Sequence, residues 1–195
     1  MAHGEHGPYA HLGGSTGSVL DAAHVLNEIP LTPGERFLDA GAGDGHFSLL
    51  AAERVGPAGR VYAMDVREEA LAPLQAALAE RPRPNVQVLV ADLAGPISLH
   101  EGAVDVALLA SVLHELVENA VLEPALAELR RLLRPGGRLA VVDFDPGADP
   151  AVGPPPSVRL APRQVEVLLA PRAFRLQRTF AAGPYHYGLV FLREG

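Results

Sequence analysis

The segment Phe37-Leu-Asp-Ala-Gly-Ala-Gly-Asp-Gly45 carries an apolar run straight into three alternate glycines. Gly41, Gly43 and Gly45 allow a sharp backbone turn and let a ligand approach main-chain N–H groups at the positive end of a following helix, so a nucleotide-type ligand is implied. Structural turns use glycine too, and it is the neighbouring residues that sharpen the reading. Asp39 and Asp44 set carboxylates in or beside the turn, where they would repel a diphosphate but attract an ammonium or sulfonium cation. A dinucleotide loop wants glycine or alanine three residues after its second glycine, and here that position is His46. The turn therefore suits a partly cationic ligand.

Further carboxylates end the next apolar runs. Asp65 stands twenty residues after Gly45, where a carboxylate can accept both hydrogen bonds of a ribose diol or else cap the next helix. Asp92 closes Val88-Leu-Val-Ala-Asp92 and either accepts from an exocyclic adenine amine or serves an ordinary loop. His114 and Glu115 follow another such run. A histidine there could deprotonate a hydroxyl or amine, or simply start a helix and pack. Arg159 would pair a substrate carboxylate or phosphate, or a surface Glu. Tyr185, His186 and Tyr187 either reach the same mouth or form the aromatic packing of a hairpin, and packing is the favoured reading.

Other patterns carry no chemistry. His114-Glu115-Leu-Val-Glu118 begins like the zinc-protease helix motif, but Glu118 occupies the second ligand position. Gly13-Gly-Ser15-Thr-Gly17 has nucleophile-elbow spacing with no strand before it. His3, His6 and His11 read as solvated tail histidines, and no metal site is expected.

Composition narrows the field. A chain of 195 residues suits one domain, and 48% hydrophobic against 20% charged residues excludes wholesale disorder. All 16 basic residues are arginine, which rules out a phosphate-loop lysine, a Schiff base and a lysine general base. The absence of cysteine excludes disulfides, thiolate zinc sites, cysteine nucleophiles and thiol-dependent methylation of soft metals. A formal charge of −7 repels phosphate backbones and anionic membranes, so neither nucleic acid nor membrane is an expected partner. With no basic-apolar leader and no long apolar stretch, a cytoplasmic protein is expected.

Positioning these residues requires a regular alternation. Residues 1–18, rich in Gly and His, read as a flexible arm. Periodicity predicts a helix over 19–29, a strand over 36–40, a helix over 45–55 and a strand over 60–64. There follow a helix over 67–81 that Pro73 should kink or split, strands over 86–91 and 104–110, a helix near 124–133 and a strand over 138–143. A proline-rich loop over 144–160, a helix over 162–169 and an antiparallel pair over 174–181 and 186–192 complete a single domain over 19–195. Strands separated by crossover helices imply an α/β protein with a parallel sheet covered on both faces.

Asp39-x-Gly41-x-Gly43-x-Gly45, acidic Asp65, Val-Ala-Asp92, the run Val104-Asp-Val-Ala-Leu-Leu-Ala110 and Leu133-Arg-Pro-Gly-Gly137 resemble the class I S-adenosylmethionine-dependent methyltransferases over residues 35–143. A weaker likeness, through Gly153-Pro-Pro, Arg159-Leu and Phe174, points to the small-molecule, type 11 branch that includes quinone-biosynthesis and arsenite methyltransferases, though the lack of Cys counts against arsenite. The resemblance implies a Rossmann-like, doubly wound sheet of seven strands, mostly parallel with the last antiparallel. It places Gly41, Gly43 and Gly45 at the methionine end of S-adenosylmethionine and Asp39 behind that loop or at the amino group. Asp65 with Val66 falls at the ribose, Asp92 with Leu93 at adenine, and Ser111 near the sulfonium. The implied reaction is in-line methyl transfer to a small-molecule acceptor, with S-adenosylhomocysteine as product, His114 as candidate base, and Arg159 and Tyr185 as candidate substrate residues. A monomer or homodimer is expected. The alternatives are a non-catalytic S-adenosylmethionine sensor and, further off, an NAD-dependent oxidoreductase.

Overall fold

The computed structural model describes residues 20–195. The arm, the three tail histidines and the Gly13-Gly-Ser15-Thr-Gly17 pattern lie outside the described residues. Among the described residues seven strands form one sheet: β1 Arg36–Ala40, β2 Arg60–Asp65, β3 Val86–Val90, β4 Val104–Ala110, β5 Leu133–Phe144, β6 Phe174–Ala181 and β7 His186–Arg193. Their spatial order is β3-β2-β1-β4-β5-β7-β6. β1 pairs in parallel with both β2 and β4, while β7 runs antiparallel to both β5 and β6. The expected doubly wound sheet with its final strand reversed is the observed one.

Six α-helices among the described residues cover it: α1 Ala22–Glu28, α2 His46–Val55, α3 Glu68–Glu80, α4 Leu113–Glu118, α5 Leu122–Leu132 and α6 Pro162–Leu169. Neighbouring residues of a strand face opposite sides of the sheet. Thus Val106, Leu108 and Ala110 of β4 pack with Val25 and Leu26 of α1 and Phe47 and Ala51 of α2. Ala107 and Leu109 pack on the other side with Leu113 and Leu116 of α4 and Leu126 and Leu129 of α5. A strand covered on both faces is apolar on both, which is why β4 does not alternate past Asp105. In α5 the buried set Ala125, Leu126, Leu129 and Leu132 recurs at three and four, and each leucine so buried contributes about 1.5–3 kcal/mol.

Two expectations are corrected. α3 runs through Pro73 without being split. Pro73 is the sixth of the thirteen residues of α3, and the bond it forfeits is to the Glu69 carbonyl in the exposed first turn, where water can serve instead. β5 begins five residues before the expected strand, at Leu133. Leu133 stands opposite Val104 and Arg138 opposite Val106, so residues 134–137 bulge out and the family-like Arg-Pro-Gly-Gly turn sits on that bulge. Among the described residues, no helix is long and apolar enough to cross a membrane.

Candidate active site

The carboxyl ends of β1 to β5 converge on a cavity of about 1060 Å³, the place where open α/β sheets bind ligands. Gly41 and Gly43 line it from the β1 turn, Asp65 to Arg67 from the end of β2, and Asp92 and Leu93 from beyond β3. Ser111, His114 and Glu115 line it beyond β4, and Phe144 with residues 152–155 closes the far side.

The glycine turn is built from left-handed residues, with φ of 86° at Gly41, 51° at Gly43 and 81° at Gly45. Gly43 is open to the cavity, and its N–H donates to Asp65 Oδ2 at 3.1 Å. The other oxygen, Asp65 Oδ1, accepts from the Arg67 N–H at 3.0 Å, so one carboxylate ties the β1 and β2 turns together. Gly45 is buried elsewhere: a Cβ there would stand 2.5 Å from Leu74 Cδ1, and the residue lets α2 start hard against α3. It is not on the cavity wall.

Asp39 likewise lies behind the turn. The Ser48 hydroxyl donates to its Oδ2 at 2.6 Å. Burial pushes the Asp39 carboxyl up to about 7, opposed by the Ser48 bond and assisted by Asp65 and Asp44. Of the two roles open to it, support of the loop is the one its position fits. Asp92 is exposed on the wall, with Oδ1 accepting from the Ala94 N–H at 2.8 Å, and Val66 and Leu93 stand beside their acidic neighbours on the same wall.

Beyond β4 the backbone is strained. Ser111 adopts φ 58° while its N–H donates to the Val142 carbonyl at 2.8 Å. Its hydroxyl is buried with no hydrogen-bond partner among the described residues, and strained backbone and unsatisfied polar atoms of this kind tend to cluster at functional sites. The strained turn swings α4 over the end of β5, where His114 meets Asp143. His114 Nδ1 lies 2.7 Å from Asp143 Oδ1, and the His114 main-chain N–H donates to Oδ2 at 3.1 Å. Burial pushes the imidazole pKa down, but the Asp143 bond and charge, with Glu115 and Glu118, outweigh it and the net shift is upward. Glu115 is pushed up to about 7 by burial, against His114 and Arg67 and with Asp143 and Asp65.

The sequence reading did not reach Asp143, Phe144, Arg67 or Ser48. Asp143 had a legible signal, a lone acid inside the apolar run Val141-Val-Asp143-Phe144. Two of the candidate substrate residues sit away from the cavity wall. The Arg159 guanidinium is buried and donates to the carbonyls of Pro154, Ala148, Asp145, Asp149 and Val152, which leaves no donor for a substrate anion. It organises the proline-rich loop. Tyr185 is off the cavity wall, where its carbonyl accepts from the Asp145 N–H at 2.8 Å. His186 packs on Phe144 with ring centroids 4.0 Å apart, and the Tyr187 hydroxyl donates to the Leu160 carbonyl at 2.7 Å, so these neighbours serve packing.

The methyltransferase domain family matches residues 37–137. A solved S-adenosylmethionine-dependent methyltransferase from Aquifex aeolicus superposes with a TM-score of 0.81 at 30% identity, over 93% of this chain and 94% of that one. The chain belongs to the class I S-adenosylmethionine-dependent methyltransferase family. A nocamycin O-methyltransferase from Saccharothrix syringae is 36% identical to this methyltransferase-family chain over 71% of it and 45% of the relative. A ubiquinone/menaquinone biosynthesis C-methyltransferase from Paraburkholderia phymatum is 31% identical over 66% of this chain and 51% of the relative. The chain spans about half the length, or less, of the curated relatives it matches.

Proposed function

We propose that the protein transfers a methyl group from S-adenosylmethionine to a small-molecule acceptor by in-line displacement, releasing S-adenosylhomocysteine. One observation carries the reading: the glycine turn and Asp65 open into the same cavity that continues past Ser111 to His114 and Glu115. A nucleoside over the first three strands and an acceptor over β4 and β5 would share one space. When bound, the cofactor supplies an electrophilic methyl group on a positively charged sulfur.

The residues present fit that group. Nothing lies within 4 Å of where a Cβ on Gly43 would stand, so the backbone can be approached closely there, and the Ser111 hydroxyl lacks a partner among the described residues. Gly41 and Gly43 would face the amino-acid end, Asp65 and Val66 the ribose, Asp92 and Leu93 the adenine, and Ser111 the sulfur. Asp39 and Gly45 would hold the turn from behind. The chain's chief contribution is to align acceptor and donor, an effect worth up to about 7–11 kcal/mol. Residues 19–195 would act as one catalytic domain, as a monomer or homodimer in the cytoplasm. The charge of −7 supports an acceptor other than nucleic acid.

Titration calorimetry should show binding of S-adenosylhomocysteine and none of NAD, and radiolabelled S-adenosylmethionine should label a small molecule. Tight NAD binding without S-adenosylhomocysteine binding would overturn the assignment, and cofactor binding without any turnover would leave a sensor.

A further inference from the structure

His114 and Asp143 make a buried pair that alignment of a methyl donor does not require. Asp143 is fully buried and its carboxylate also accepts main-chain N–H groups, from His114 at 3.1 Å and from Phe144 at 2.8 Å. With the carboxylate so fixed as an acceptor, a neutral His114 would carry its proton on Nδ1, toward Asp143 at 2.7 Å, leaving the lone pair on Nε2. Burying such a pair costs desolvation, and an acceptor with nothing to ionise would give it no task.

The charges around it narrow the acceptor further. Asp44, Asp65, Glu69, Asp92 and Glu118 line the cavity with Arg67 as the single guanidinium among the described lining residues, and Arg159 is committed to its own loop. A carboxylate or phosphate on the acceptor would meet repulsion.

Resting on the methyltransferase reading, we propose that the acceptor is an uncharged or cationic small molecule whose nucleophilic atom is a hydroxyl oxygen or an amine nitrogen bearing a proton, which His114 takes at Nε2 with Asp143 as its positioning residue. The O–H or N–H bond breaks, and its electron pair stays on the acceptor atom that bonds to the methyl carbon. The proton bonds to Nε2, and sulfur keeps the pair of the bond it loses. The imidazolium formed is balanced by Asp143. The groups facing His114 are Asp143 from β5, Glu115 and Glu118 on α4 and His186 from β7; the carboxylates raise its pKa.

Histidine-selective nitrogen NMR on the protein saturated with S-adenosylhomocysteine tests the dyad without turnover. His114 should keep a protonated Nδ1 and titrate at Nε2 with a midpoint above 6.5, and Asp143→Asn should lower that midpoint. A His114 that does not titrate between about pH 5 and pH 9, or a midpoint indifferent to Asp143→Asn, overturns the proposal. In a second arm, methyl-tritiated S-adenosylmethionine is incubated with the small-molecule fraction of a cell extract. Label should appear as O–CH3 or N–CH3 in products that pass an anion exchanger at neutral pH. His114→Asn should slow labelling about 10²–10⁴-fold with S-adenosylhomocysteine affinity kept, and Asp143→Asn should shift the acidic limb of the pH profile downward. Label on carbon, on sulfur or in anionic products overturns this proposal and leaves the methyltransferase reading standing. No label in any fraction sinks that reading, and this proposal with it.

Discussion

The Ser48 hydroxyl donates to Asp39 Oδ2 at 2.6 Å behind the glycine turn, where the two residues are 0% and 1% exposed. Burial holds the Asp39 proton in the native state up to about pH 7, while the unfolded chain releases it near the ordinary 3.8. The native state therefore binds the proton more tightly, and the stability this contributes is complete below about pH 4 and lost as pH rises toward 7. Glu115 acts with the same sign. Asp39→Asn should flatten the fall in melting temperature between about pH 4 and pH 7, a term on the order of a few kcal/mol. Denaturation across that range checks it, and an unchanged slope counts against a protonated Asp39.

Asp65 holds two main-chain N–H groups from two different turns. Removing its carboxylate costs any ligand bond it makes and also frees the Gly43 turn. Asp65→Ala should weaken S-adenosylhomocysteine binding by about 10–100-fold, equivalent to about 1.4–2.8 kcal/mol, as read by calorimetry.

At Gly45 both the left-handed φ of 81° and the Leu74 contact oppose a side chain. Gly45→Ala should destabilise by about 2–4 kcal/mol from backbone strain and overpacking together. Denaturant midpoints measure this directly. Leu74→Ala, which opens space but leaves the φ penalty, should relieve only part of the loss when combined with it.

Arg159 satisfies carbonyls by a planar fork, which lysine cannot copy. Arg159→Lys should increase proteolytic cleavage within residues 145–158 while leaving S-adenosylhomocysteine affinity within about twofold, since Arg159 is not on the wall of that cavity. A selective loss of acceptor binding with the loop intact would restore the substrate role first expected for it.

Much of the proposed cofactor half of the site was legible because its residues are local. The turn after β1 and the acids ending the runs at 65 and 92 sit where strand periodicity stops, and local spacing is what a sequence displays. The acceptor half was less so. α4 has only six residues and follows a left-handed serine, so no periodic run announces it. The partner of His114 lies 29 positions away on another strand, and pairing between strands is a tertiary fact. The partners of Arg159 were hidden because a cation in a loop looks free until the loop's carbonyls are seen to fold around it. That α3 is not split at Pro73 has the opposite reason, a strong local rule offset because the carbonyl left without its bond, that of Glu69, lies in the exposed first turn.

The order β5-β7-β6 places the last strand of the chain between two that precede it. The plank carrying Asp143 and Phe144 thus has a bare outer border until residues 186–193 slot in. Clipping those residues would strand β6 as well, so trimming from the C-terminal side should abolish folding, and during folding the acceptor pocket should be among the last regions to acquire protection from hydrogen exchange.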